Sequence, residues 1–341
     1  MNKFYLFCLG LLLLSSQAFA DKTVRIVSYN LENLFDCEND PNTDDDSFTP
    51  EGDHHWTYGK YWTKVNNLSR AITAAGEWEN PIVVGLCEVE NAKVVDDLLH
   101  KTQLKNAKYQ FVHKDSPDRR GVDVALAYLP NEFRLLKADF IPVNIIDGKP
   151  TRDILHATGE LSNGDTLHVF VNHWPSRYGG EMESRPNRML AAQTLREQTD
   201  SLFAIGNPKI IIMGDFNDYP DDESLIYGLC AVSPSKIPIF DEPFDQLYNL
   251  SYPIHEEGKK GSHKFGGEWG MLDQLIVSAT LLDEDASTFT SPQGMTICEA
   301  PFLFKESATG PSPKRSFLGN FFAYGFSDHL PVYIDIYLTD K

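Results

Sequence analysis

Residues 24–29 alternate between apolar and polar positions and are rich in β-branched side chains, the pattern of a strand. Residues 61–75 change period. Val65, Leu68, Ile72 and Ala75 recur at helical spacing, and residues 92–104 do the same through Val94, Val95, Leu98 and Leu99. Residues 81–87 and 209–213 are near-continuous apolar runs, as expected of strands buried on both faces. Further strands are predicted over 122–129, 154–161, 166–171, 272–278 and 332–338, with a helix over 186–204. Ser162-Asn163-Gly164-Asp165 between two of these strands is a hairpin signal. Strand–helix–strand order occurs early and again mid-chain, with hairpins between. Two mixed sheets packed face to face, with helices outside, satisfy both patterns. The expectation is an α/β sandwich of four layers, formed by residues 21–341 as one catalytic domain.

Two stretches fit no element. Residues 36–55 are acidic and turn-rich, and residues 286–326 carry Pro, Gly, Ser and many Phe. Loops this long in a compact domain are often functional.

The first 20 residues read differently from the rest. Lys3 precedes an apolar run too short to span a bilayer, and Ala18-Phe19-Ala20 fits a small-residue cleavage site. They are expected to be a secretory signal, giving an exported protein, periplasmic or extracellular, with no integral membrane association. The residues before Cys8 lack the small side chains of a lipoprotein site. The chain carries a formal charge of −19, and losing Lys3 with the leader takes it to about −20. That balance excludes a broad basic footprint for nucleic acid. It leaves room for a phosphate substrate, because a bound cation and a few arginines supply positive potential locally. Four cysteines lie beyond the leader. Cys87 reads as a buried thiol, Cys230 with Cys298 is a possible pair, and no spacing suggests zinc. Nothing marks an obligate protein partner.

The candidate chemistry sits at strand ends. LCEVEN (86–91), GDFND (214–218) and SDHLP (327–331) each join an apolar run to acidic or amide residues, the oxygen-rich donors that a hard cation such as Mg²⁺ prefers. SYNLEN (28–33), VNHWPS (171–176) and LDQLIVS (272–278) complete an ordered set of six. In order and rough spacing these segments closely resemble the endonuclease/exonuclease/phosphatase superfamily, typified by deoxyribonuclease I, over nearly the whole mature chain. The resemblance implies a four-layered α/β sandwich and hydrolysis of phosphate esters by an activated water with Mg²⁺ or Mn²⁺. It implies that Glu88 is the principal metal carboxylate, with Asn30 placing metal or phosphate and Asp328 a second acid on the metal side. It further implies that Asp215 and Asn217 position water and phosphate, that His329 is the general base with Asp273 behind it, and that His173 contacts the phosphate or leaving group. Gln274 departs from the arginine or tyrosine frequent at that position.

The residue chemistry agrees with those roles. Histidine titrates near neutrality, a carboxylate behind it fixes its tautomer, and an amide donates to an oxyanion without adding charge. Arg152, Arg177 and Arg188 are the arginines placed to grip phosphate. Asp123 is a candidate to support His173. Lys314 and Arg315, beside Phe317, Phe321, Phe322 and Tyr324, suit either substrate contact or a small core beneath the loop. Asp40, Asn42, Asp44, Asp46 and Glu51 have the spacing of a calcium loop, without its glycine or flanking helices. The expected activity is that of an exported phosphodiesterase or nuclease cleaving DNA or RNA. The alternatives are a hydrolase of phospholipid headgroups or sugar phosphates, and a non-catalytic binding protein on the same fold.

Overall fold

The architecture follows from side-chain alternation along its strands. A computed structural model describes residues 22–146, 148–236 and 245–339, so the expected leader over residues 1–20 lies outside the described residues. In chain order the strands are β1 (Lys22–Leu34), β2 (Val83–Val89), β3 (Gln110–His113), β4 (Asp123–Tyr128), β5 (Phe133–Ile141), β6 (Ile154–Leu161), β7 (Thr166–His173) and β8 (Lys209–Asp215). Two later strands, Asp273–Ser278 and Val332–Leu338, complete the framework. The main helices are α1 (Tyr58–Gly76), α2 (Ala92–His100) and α3 (Glu181–Phe203).

The strands form two seven-stranded mixed sheets. In the first, β1 pairs parallel with β2 and antiparallel with Val332–Leu338, while β4 links β2 to β3. In the second, β5, β6 and β7 form a meander, β8 runs parallel to β7, and Asp273–Ser278 pairs antiparallel with β8. Each sheet therefore has a parallel pair at its centre, and each pair is joined through a long helix, as parallel connections require.

Alternation decides which face each residue takes. On β1, Arg25 Nη1 donates to Ala75 O of α1 at 2.8 Å, while Asn30, of opposite parity, reaches Asp215 in the other sheet. On β8, Ile211 and Met213 join the core between the sheets, while Ile210 and Ile212 pack with Ala191, Ala192 and Leu195 of α3. The sheets approach closely at Gly85: a Cβ there would lie 2.7 Å from the Met213 side chain. Helix, sheet, sheet and helix make the expected four layers.

Several elements differ from their sequence pattern. Helix α3 starts at Glu181 rather than at Pro186, which sits inside it. The predicted helix over 92–104 stops at His100 and resumes as a 3₁₀ turn, Gln103–Ala107. Strands β3 and β5 were not predicted; both are short of buried residues compared with β4 or β8, so alternation is blurred. Residues 286–326 form short hairpins. Phe317 and Phe322 are buried beside Trp56, while Phe321 and Tyr324 remain exposed, so the aromatics divide between a small core and the surface. All four described cysteines are free, so Cys230 and Cys298 are not joined. No helix among the described residues is long and apolar enough to cross a membrane.

Candidate active site

The rows of side chains that fill the space between the sheets end in polar residues at one edge. His173 continues the Val169–Val171 row of β7, Asp215 continues Ile211–Met213 of β8, and Asp273 begins the Leu275–Val277 row. The register aligns them side by side: His173 opposite Asp215, and Asp215 opposite Asp273. Asn30 ends the facing row of the first sheet, where Nδ2 donates to Asp215 Oδ2 at 3.0 Å and to Glu88 Oε1 at 3.2 Å.

Glu88 breaks the alternation. On β2 the odd positions face the second sheet, as Gly85 does against Met213 and Cys87 does by donating Sγ–H to Asn172 O at 3.2 Å. Strict alternation would turn Glu88 away. Its backbone has φ +62°, and the β2–β4 register slips between Cys87 and Val89. This local bulge re-aims the carboxylate into the site, a recurrent use of bulges and strained backbone. Asn33 N donates to Glu88 Oε2 at 2.7 Å and fixes it there. Gly214 is needed for the same edge. It has φ +133°, and a Cβ would lie 1.9 Å from Asn172 O.

The acid–base groups converge on Asp215. Its Oδ2 lies 3.8 Å from His173 Nε2 and 3.8 Å from His329 Nε2, and His173 Nε2 is 3.7 Å from Glu88 Oε1. His329 Nδ1 is 2.6 Å from Asp273 Oδ2. Its backbone is held by His329 N donating to Ser327 Oγ at 3.1 Å, and Ser327 Oγ donates to Asn30 O at 2.7 Å. Asn217, at φ +52°, donates Nδ2 to Trp174 O and its backbone N to Asp215 Oδ1.

The two imidazoles are tuned in opposite directions. Burial, helped by Arg152, Arg120 and His329, holds His173 well below its ordinary pKa, so it is neutral. Burial also opposes a proton on His329, but Asp273 and Asp215 outweigh it and hold that pKa well above the ordinary value. Burial, opposed by His329 and reinforced by Asp273, pushes Asp215 up to about 7. Asp328 is held below the usual carboxylate range: burial works against this, and His329, His263 and Arg315 outweigh it. Oppositely displaced titratable neighbours are the arrangement that divides acid from base work.

The carboxylate oxygens of Glu88, Asp215 and Asp328 are the donors a hard divalent cation prefers, with His173 and His329 beside them for acid–base work. Glu88, His173 and Asp215 have ligand atoms within 4.8 Å of one another, as do His263, Asp328 and His329. Burial, reinforced by the nearby Asp273 and Glu88 carboxylates, pushes Asp215 upward, and positive charge beside it offsets that. Asn30 presents its amide nitrogen rather than its oxygen to this space, because Oδ1 accepts from Glu32 N at 2.9 Å. In this arrangement it orients the carboxylates.

The arginines lie elsewhere than expected. Arg152 is buried and donates to His173 O, Trp174 O and Asp118 Oδ2. Arg188 is 0 % exposed, with Nε 2.6 Å from Asp218 Oδ1. Both guanidiniums are consumed by protein partners, so they support the site from behind instead of gripping substrate. Arg177 is partly exposed but ties down the GDFND loop through Asn217 O at 2.7 Å and Asp222 Oδ2 at 2.8 Å. Asp123 faces His113 and accepts from Ser116 N, so it does not support His173. Gln274 bonds Asp218 O and Asn249, an internal role. The acidic loop over 40–51 does not gather as a calcium site: Asp40 Oδ1 accepts from Asn42, and Asp44 turns to Arg119.

Sequence reasoning missed Glu32. It is buried at φ +52° and accepts from Ser316 N, Phe317 N and Arg315 Nε, while Arg315 Nη2 reaches Asp328 Oδ2 at 3.1 Å. Glu32 thus fixes the segment that delivers Asp328 and His329. The signal available was its place in SYNLEN, two residues after Asn30.

Residues 25–338 match the family model described as Endonuclease/Exonuclease/phosphatase family. No curated protein matches the sequence. Among solved structures, the human nocturnin catalytic domain with bound sulfate is 16% identical, with 93% of this chain and 95% of that chain covered and a TM-score of 0.56. D. rerio TDP2 complexed with single-strand DNA product is 13% identical, with coverages of 93% and 99% and a TM-score of 0.54. A mannosyl-6-phosphatase of Bacteroides thetaiotaomicron is 15% identical, with coverages of 92% and 99% and a TM-score of 0.55. These likenesses are of fold, and together with the family match they place the four-layered sandwich and its polar edge in context: the chain belongs to the endonuclease/exonuclease/phosphatase family.

Proposed function

We propose that the protein is an exported, divalent-metal-dependent phosphodiesterase, cleaving a nucleic acid or a related diester by activated water. The observation that carries this reading is the convergence of His173 Nε2 and His329 Nε2 on Asp215 Oδ2, each at 3.8 Å, where burial holds the pKa of the first low and Asp273 and Asp215 hold that of the second high. Glu88 and Asp328 are the residues to hold the cation, Mg²⁺ or Mn²⁺. A cation bound there polarises phosphoryl oxygens and stabilises developing negative charge.

The chain's own groups supply the rest. Asp273 holds Nδ1–H of His329, leaving Nε2 to take a proton from water once it is deprotonated. Asp215 and Asn217 orient the water and the phosphate. His173, neutral at working pH, faces the same space to contact the phosphate or its leaving group. Export rests on the leader pattern of residues 1–20.

A second reading, hydrolysis of a sugar phosphate, is favoured by a cavity of about 650 Å³ whose wall includes Arg152, the residue that donates to His173 O. Arg120, Ser176, Tyr178 and Asn187 line it beside Ile145, Pro150 and Pro175, a mixed lining with polar groups that suit hydroxyls. A parallel assay with Mg²⁺ or Mn²⁺ separates the two. Its substrates are plasmid DNA, RNA, a chromogenic diester, sphingomyelin and mannose 6-phosphate. The diesterase reading expects cleavage of diesters, with kcat at least about 100-fold lower in His173→Ala. Turnover of monoesters alone transfers the site to the second reading.

A further inference from the structure

Beside the catalytic edge, β3 and β4 carry a second group of ligand-type side chains that the hydrolytic site does not use. His113 ends β3, Asp123 begins β4, and Asp115 lies in the connection between them. Their ligand atoms fall within 4.8 Å of one another. All three differ from the residues assigned above to catalysis.

The His113 side chain is 2% exposed, yet Nε2 makes no hydrogen bond. It points at Asp123 Oδ2 from 3.4 Å, too far and too misaligned to be bonded. Nδ1 lies 3.8 Å from Asp115 Oδ1; one ion takes a single ring nitrogen, and the three residues can offer one atom each within 4.8 Å. Two ligand atoms that share one ion have a different ideal spacing from a hydrogen bond. Metal–ligand bonds of about 2.1 Å at a tetrahedral angle set them roughly 3.4 Å apart. Asp123 is also held ready, because its other oxygen accepts from Ser116 N at 2.8 Å, the outer contact that orients a ligating carboxylate.

The surroundings favour a cation. Asp115 and Asp123 line a cavity of about 270 Å³ whose other walls include Asp40, Glu90 and Asp118. Arg119 is the basic residue lining it, and its exposed guanidinium turns to Asp44. Aspartates outnumber the one arginine in this lining, and an excess of one sign of charge in a cleft concentrates the opposite ion.

We propose that His113, Asp115 and Asp123 form a second divalent-cation site, for a borderline ion of the Zn²⁺ type. An imidazole with two carboxylates suits such an ion better than Mg²⁺, which prefers oxygen alone. The site would also order the β3–β4 connection. That connection carries Asp118, which accepts from Arg152 Nη1 at 3.0 Å, and Arg152 in turn holds the His173 carbonyl.

The test is Zn²⁺ titration of chelator-treated protein by calorimetry in a Glu88→Gln background, where the catalytic edge has lost one of its carboxylates. The proposal expects Zn²⁺ binding that weakens at least tenfold on adding His113→Ala or Asp115→Asn. The Asp115 side chain is 83% exposed, so its substitution leaves the fold intact even where His113→Ala does not. Absence of Zn²⁺ binding in the Glu88→Gln protein overturns the proposal, as does unchanged affinity in the Asp115→Asn double variant. Failure of the catalytic reading shows up separately, as hydrolysis unaffected by Glu88→Gln.

Discussion

Replacing Asp273 by Asn removes one charge from a fully buried position and leaves the shape unchanged. The structure makes two effects calculable. Asp273 Oδ2 lies 2.6 Å from His329 Nδ1, and this carboxylate is the largest influence raising the His329 pKa against burial. A hydrogen bond to a charged group contributes about 1.5–3 kcal/mol net. At about 1.36 kcal/mol per unit, the His329 pKa should fall by roughly one to two units. The general base acts only when deprotonated, so the acid limb of kcat/KM moves to lower pH by that amount. The second effect is on turnover. A neutral amide no longer requires a proton on Nδ1, so Nε2 loses its exclusive claim to be the acceptor, and kcat drops by about 10²–10³-fold, within the range for general-base loss. That drop corresponds to about 2.7–4 kcal/mol of barrier. The assay is a pH profile of diester hydrolysis with Mn²⁺, read with the imidazole shift of His329 by NMR. An acid limb that stays in place, or moves to higher pH, refutes the assigned pairing.

The chelator-treated protein should lose stability between about pH 6.5 and 8. Burial is the main cause raising Asp215 and Glu32 to about 7 and Glu90 to about 8, so the folded state binds protons that the unfolded chain has released. Stability from such groups is lost as pH rises through the folded values, at up to about 1.4 kcal/mol per pH unit for each. Below about 6.5 the buried His156 and His263, lowered to about 4 mainly by burial, act in the opposite sense. A melting temperature that is equal or higher at pH 8 contradicts this balance. Gly214→Ala should destabilise by roughly 2–6 kcal/mol in urea unfolding, summing overpacking and backbone strain, because its Cβ would lie 1.9 Å from Asn172 O at φ +133°. A loss below about 1 kcal/mol would contradict the close approach of β7 and β8.

Much of the fold was legible because the buried strands speak for themselves. Ile210 to Met213 is apolar on both faces, and the structure gives each face a separate partner, α3 outside and the other sheet inside. The convergence of Asn30, Glu88, His173, Asp215, Asp273 and His329 was legible through six ordered segments. The reason they meet was not. Glu88 reaches the site through positive φ and a register slip, and neither has a sequence signature. The arginines were misjudged for a related reason. Sequence placed Arg188 close after VNHWPS and Arg152 just before a strand, but an arginine behind a catalytic loop and one in front of it look alike along the chain. Arg188 turned inward because Asp218 supplies a buried partner. Asp123 fell to a neighbour that sequence could not supply, His113 across the β3–β4 pair.

The central claim, that Glu88 anchors a cation on which phosphate ester hydrolysis depends, is tested most directly by one comparison. Wild-type and Glu88→Gln protein are stripped with EDTA, then assayed on a chromogenic phosphodiester as Mn²⁺ is added back. The account predicts that wild-type activity vanishes in EDTA and returns with Mn²⁺. It predicts that Glu88→Gln remains folded but at least about 10³-fold slower at every cation concentration, the loss of a principal ligand and of transition-state charge stabilisation together. Full hydrolysis in EDTA, or wild-type turnover by Glu88→Gln, would contradict it.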